Sequence, residues 1–314
     1  MQEKKNIRLL ISLVLLIGVA MFLFLFGGSQ ENSVNRSLFK ITELASVDKV
    51  ELLSKEQKVT LTFDGTRWIV DAKNDADDRL ITVLFATLDQ AEVKRPVAQK
   101  IAESVSSRIE SQGVEVRLFV EEKLVRAFNV GGNDSKTESY IMDAENGPYV
   151  MAIPGYRVYA AGVLEVDAVG WRDKRIFNFS WRNFKSLECT LSKNTEESFE
   201  IGMSENGFDI IDATFKTDTT KLNDYLDAVS LLTANQLLAP GTNALYDSLT
   251  KLPPSVSIKV FDVGNNEYSL DLYEPLPGDP NVVSKMEDGV LSIFTRQQVS
   301  PVLKNRSYFR APKP

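Results

Sequence analysis

Histidine is absent from this chain of 314 residues, and cysteine occurs once, at Cys189. Without imidazole, Ser-His-Asp and Cys-His catalysis, imidazole-ligated zinc and a histidine pH switch are all excluded. A single cysteine allows neither an internal disulfide nor a thiolate cluster. Its setting, Leu-Glu-Cys-Thr-Leu from Leu187, reads as a strand with a small core residue at its centre rather than a nucleophile. Positive charge is in deficit, with a formal net charge of -7, which opposes a general affinity for nucleic-acid phosphates. Tryptophan is scarce, and two of the three, Trp171 and Trp181, fall in the single stretch 170–190.

What remains is ordinary globular material, 43% hydrophobic and 25% charged, with length for about two domains of ~100–150 residues. Residues 9–26 form an apolar run broken only by Ser12 and preceded by Lys4, Lys5 and Arg8. The run reaches the lower end of transmembrane length and is followed by no clear A-x-A-like cleavage site, so a retained signal-anchor is expected. The positive-inside rule makes residues 1–8 a cytoplasmic tail, with 27–45 a linker and the rest of the chain outside. In a bacterial host that is a single-pass inner-membrane protein with its bulk in the periplasm.

The chain repeats itself. In the first half, two alternating strands, an Asp64-Gly65 turn, a third strand and an amphipathic helix follow Val47; the same succession follows Phe184, with Asn206-Gly207 as the turn. Val59, Leu61 and Phe63 match Phe199, Ile201 and Met203, Trp68 matches Phe208, and Gly147 matches Gly289. Trp68 and Phe208 are expected in the core. The expectation is an α+β fold of two tandem repeats, 46–170 and 186–314, each an antiparallel sheet with helices packed on one face.

Between the repeats lies a seam, 171–185, rich in aromatic and basic residues. Aromatics there would wedge between the repeats, with Arg172, Lys174 and Arg175 meeting nearby acids. The same residues could instead form a partner surface, and Trp171, Arg172, Arg175, Trp181 and Arg182 are the candidate interface.

Other motifs have plain structural readings. Asp71, Asp75, Asp77 and Asp78 lack EF-hand spacing, and the last three lie where a helix begins, as do Thr217, Asp218 and Thr219 in the second copy. Asp64-Gly65-Thr66 reverses the Thr-Gly order of aspartic proteases and suits a hairpin turn. Residues 130–137 lack P-loop order and read as a hairpin loop, and 274–281 as a rigid exposed loop suited to partner contacts. No catalytic residue, cofactor site or metal site is assigned.

Val59–Trp68, Ala76-Asp77, Gly131-Gly132 and Tyr140–Gly155, downstream of the anchor, together resemble the bacterial family called domain of unknown function 4340. The resemblance covers most of 45–180 and, through the repeat, more faintly the remainder. It implies a membrane-anchored, envelope-facing protein of the kind found beside gliding-motility-type ABC transporter components. Residues 170–188 look like relatives from the Bacteroidota. No catalytic residues come with the family. The expected function is a non-catalytic scaffold or accessory subunit that binds other membrane or envelope proteins and not nucleic acid. The alternative is a glycan- or lipid-binding protein using the cleft between the repeats.

Overall fold

The computed structural model describes residues 12–21, 35–177, 179–204 and 207–312. Of the apolar run 9–26, residues 12–21 form helix α1 and are exposed throughout, while 9–11 and 22–26 lie outside the described residues. Among the described residues, no helix is long and apolar enough to cross a membrane.

The first repeat runs β1 (Lys49–Leu53), β2 (Lys58–Phe63), β3 (Trp68–Val70), β4 (Asn74–Asp75), α2 (Asp78–Gln90), β5 (Glu92–Pro96), α3 (Gln99–Gln112), β6 (Val114–Val120), β7 (Lys123–Gly132), β8 (Ser139–Met142) and β9 (Tyr149–Ala152). The second runs β10 (Phe184–Leu191), β11 (Phe199–Ser204), β12 (Gly207–Ile210), α4 (Thr219–Ser230), β13 (Gln236–Leu238), α5 (Ala244–Leu249), β14 (Val256–Asp262), β15 (Glu267–Leu272), β16 (Asn281–Met286), β17 (Leu291–Thr295) and α6 (Arg296–Val299). Each repeat builds one antiparallel sheet. The nine-stranded sheet has the order β4-β3-β2-β1-β6-β7-β8-β9-β5, and the eight-stranded one β12-β11-β10-β14-β15-β16-β17-β13. Apart from β4, the two orders are the same.

The matched positions behave alike in space. Val59 and Leu61 are buried as are Phe199 and Ile201, while Phe63 and Met203 point outward. Phe63 pairs with Trp68 across the first hairpin, and Met203 with Phe208 across the second. Trp68 and Phe208 are half-buried at the margins of their cores rather than within them. The Asp64-Gly65 turn closes as expected, with Gly65 at a φ of 96° that favours glycine. Asn206 of the second turn lies outside the described residues.

Helix starts follow the expected chemistry. Asp77 accepts from the backbone N–H groups of Arg79 and Leu80, and Asp218 from those of Thr220 and Lys221. Helix α2 buries Ile81, Leu84 and Leu88, and α4 buries Leu222, Tyr225, Leu226 and Val229, each as one stripe against its sheet.

The expectation that the helices share one face needs correction. Alternate residues of a strand point to opposite faces. Ile141 and Met151 join the α2 core, whereas Tyr140, Met142 and Val150 pack with Val105 and Ile109 of α3. In the second repeat Phe294 joins the α4 core, while Val283 and Ile293 pack with Leu249 of α5. β8 is buried at every position, so its end of the sheet needs cover on both sides.

The linker expectation also changes. Residues 27–34 lie outside the described residues, but Phe39 is buried in the first core, with its ring 6.2 Å from that of Tyr149. Leu38-Phe39 stands to the first sheet as Ile176-Phe177 stands to the second. The Arg36 carbonyl accepts from Val93 in β5, and the Lys174 carbonyl from Ala234 just before β13. At the far end, Trp171 is equivalent to Phe309: the Trp171 carbonyl accepts from Asp77 at 2.8 Å, and the Phe309 carbonyl from Asp218 at 2.7 Å. Ala76 bridges Arg172 as Thr217 bridges Arg310. The structural copies are therefore 36–173 and 174–311.

Candidate functional site at the seam

The seam is sewn to both copies. Besides the Trp171 carbonyl, the Asp173 N–H binds the Asp75 carbonyl at 2.8 Å, so 171–173 runs as a short extra strand beside 75–77. One residue later the chain changes allegiance. The Lys174 carbonyl accepts from Ala234 at 2.9 Å, the Ile176 N–H donates to Leu232 at 3.0 Å, and Arg175 bridges Thr233. Trp171 drops into the first core, and Ile176 and Phe177 into the second.

Over this crossing lies a cleft of about 550 Å³. Arg67 enters it from the β2–β3 turn and Asp75 from β4, Arg172, Asp173 and Arg175 from the seam, and Tyr268 and Asp288 from the second copy. Its charges neutralise one another. Arg67 binds Asp75 at 2.7 Å, Arg175 Nε binds Asp173 at 2.6 Å, and Arg172 reaches across the copies to Asp288 at 2.7 Å. The hydrogen bond it donates to Asp173 holds the Arg175 guanidinium above its ordinary range. Burial pushes the Tyr268 phenol up, and the charges of Asp262 and of Asp75 in the other copy add to this. Paired guanidinium and carboxylate groups in an open cleft fix geometry and leave few free charges for a ligand. Among the described residues, no group of three or more His, Cys, Asp or Glu could hold a metal ion.

The five candidate interface residues do not converge. Arg172 and Arg175 line the cleft, but Trp171 is fully buried beneath it and offers no surface to a partner. Trp181 is 45% exposed and belongs to the second copy, where its ring packs 5.9 Å from Phe208 and its Nε1 donates to Asp227 at 2.7 Å. Arg182 is exposed beside it, and neither residue lines the cleft. Arg67, Tyr268 and Asp288 went unmarked in the sequence because each sits in or beside a hairpin whose turn chemistry hides the long-range pairing. Asp75 caps no helix; it is held by Arg67 and by the seam backbone.

Cys189 lies in the second core, where burial pushes its thiol up to about 12, so the thiolate needed for nucleophilic chemistry is scarce at neutral pH. Of residues 130–137, read as a loop, 130–132 instead end strand β7 and pair with β8, leaving 133–138 as the connection, while 274–280 form the β15–β16 loop and Asn281 opens β16.

No curated protein and no solved structure matches the chain. A family model matches residues 68–248, more than half of it, from β3 of the first copy through the seam to α5 of the second. The capped helix α2 and the sewn crossing lie inside that span, and β2 with the Asp64-Gly65 turn lies just before it. On this match the chain belongs to the family described as Domain of unknown function (DUF4340).

Proposed function

We propose that this protein is a non-catalytic, membrane-anchored scaffold or accessory subunit that binds other envelope proteins through a rigid tandem-repeat body. The observation that carries the reading is the seam. Backbone hydrogen bonds on both sides of the Asp173–Lys174 bond and the Arg172–Asp288 pair tie the copies together, as suits a frame that holds partners in fixed relation. The apolar run 9–26, with α1 exposed on every side, supports an inner-membrane anchor that leaves the repeats in the periplasm. An ABC-type transport or gliding-motility complex is the partner class the family resemblance favours. The glycan- or lipid-binding alternative has less support, since the cleft is lined by paired charges and Tyr268 rather than by open tryptophan faces.

The test is in-cell crosslinking of the tagged full-length protein in its host, followed by mild-detergent pull-down and mass spectrometry. Specific recovery of transporter or motility subunits is expected. Recovery of the protein alone, from an efficient crosslink, would overturn the scaffold reading.

A further inference from the structure

The chain joins the first copy at a fixed point close in sequence to the apolar run. The Arg36 carbonyl accepts from the Val93 N–H, which holds residue 36 beside β5. Ten positions separate Arg36 from Phe26, the last residue of the run. Fully extended they span about 35 Å, so this edge of the first copy cannot lie farther than that from a bilayer that holds the run.

At that edge lies a cleft of about 260 Å³ lined by Arg36, by Lys94 of β5 and by the loop that follows β9. The loop opens on a sharp turn. The Tyr156 N–H donates to the Ile153 carbonyl across Pro154 and Gly155, and the φ of 81° at Gly155 is that of a type II turn. Beyond the turn Tyr156 is 65% and Val158 54% exposed, with Arg157 exposed between them. Among the described residues, the side chains of Arg36, Lys94 and Arg157 have neither an ion pair nor a hydrogen bond, and Glu92 is the one acid lining the cleft. In a chain of net charge -7 this is a local excess of positive charge. The second copy has no counterpart, because α6 starts directly after β17 and β13 carries no charged residue.

We infer that this patch rests on the membrane surface, with Tyr156 and Val158 in the headgroup layer and Arg36, Lys94 and Arg157 against the phosphates of anionic phospholipids. A tyrosine, apolar in its ring and polar at its tip, suits that layer, and guanidinium groups match phosphate oxygens. Each contact is weak alone, but a tether of ten positions makes the encounter intramolecular, so a few unpaired cations and one exposed ring suffice. The patch occurs only in the copy that the tether reaches, which favours a bilayer over a protein as its partner. An anchor by itself leaves the body free to swing; with the patch seated, the first copy has a fixed tilt. The inference rests on the anchored reading, because the tether is what brings the patch to the bilayer.

The experiment reconstitutes the full-length protein into phosphatidylcholine vesicles containing about 30% phosphatidylglycerol. A fluorophore on Val158→Cys reports contact through quenching by nitroxides carried on lipid headgroups, and a separate label on Gly27→Cys reports the anchor; Cys189 is buried and does not take the label. Both positions should be quenched. Quenching at 158 alone should fall about fivefold when phosphatidylglycerol is omitted, and again when Arg36→Glu, Lys94→Glu and Arg157→Glu are combined in the charged vesicles with the thermal melt unchanged. Quenching at 27 without quenching at 158 would overturn the inference and leave the anchor standing. Quenching at 158 that ignores the lipid charge or the charge reversal would also overturn it, since a tether alone keeps the body near the bilayer. Absence of quenching at both positions would remove the anchored reading and the inference with it.

Discussion

Trp171 and Phe309 fill the same place in their two copies, each with no exposed surface. The tryptophan differs in carrying an Nε1–H that is buried with no hydrogen-bond partner among the described residues. Trp171→Ala removes a full core side chain and is expected to cost about 3–5 kcal/mol in a denaturant unfolding experiment. Trp171→Phe should cost less than half as much, because the second copy shows that a phenylalanine suits the site. Losing an unpartnered donor also returns part of a desolvation cost of about 1–3 kcal/mol. Equal losses for the two variants would argue against the equivalence of the sites. The sequence places Trp171 in the seam but does not reveal that it faces inward. Its basic neighbours give it the look of an interface anchor, and only the pairing of 171–173 with 75–77 turns the ring into the core.

Among the elements, the β8–β9 hairpin makes a pH-dependent contribution. Burial alone would raise the Asp143 carboxyl, but hydrogen bonds from the Asn146 side chain and from the backbone N–H groups of Asn146 and Glu145, with the charge of Arg126, outweigh it and hold the group below its ordinary range. Folding therefore favours the ionised form. The contribution is complete above the unfolded value of ~3.9 and is lost as pH falls through the lower folded value. Stability measured from pH 6 down to pH 2 should fall less steeply at the acid end for Asp143→Asn than for the parent, and identical acid limbs would show that the hairpin does not contribute. Strands, turns and helix caps such as Asp77 and Asp218 were legible because each depends on local chemistry. The placement of α3 and α5 on the opposite faces was not, because it depends on both faces of β8 and β16 needing cover, which appears only when the sheets are assembled.

At the scale of the molecule, the duplication could be read from strand positions, but its boundaries could not. The closing segments around Trp171 and Phe309 lie beyond loops of unequal length, so the spacing of 140 to 142 positions between matched residues fails there. Outside the backbone, the copies are linked by Arg172–Asp288, whose side chains are 11% and 24% exposed. A double-mutant cycle with Arg172→Ala and Asp288→Ala should give a coupling of about 1–2 kcal/mol, between the values for surface and buried pairs. A coupling near zero would mean that the backbone alone joins the repeats. Because the chain leaves one core at Trp171 and enters the other at Ile176, it has no slack to give. Tension across the seam would have to pull an aromatic ring out of its core before the chain could lengthen by even one residue, about 3.5 Å. For the proposed scaffold, the seam is then a joint that resists stretching.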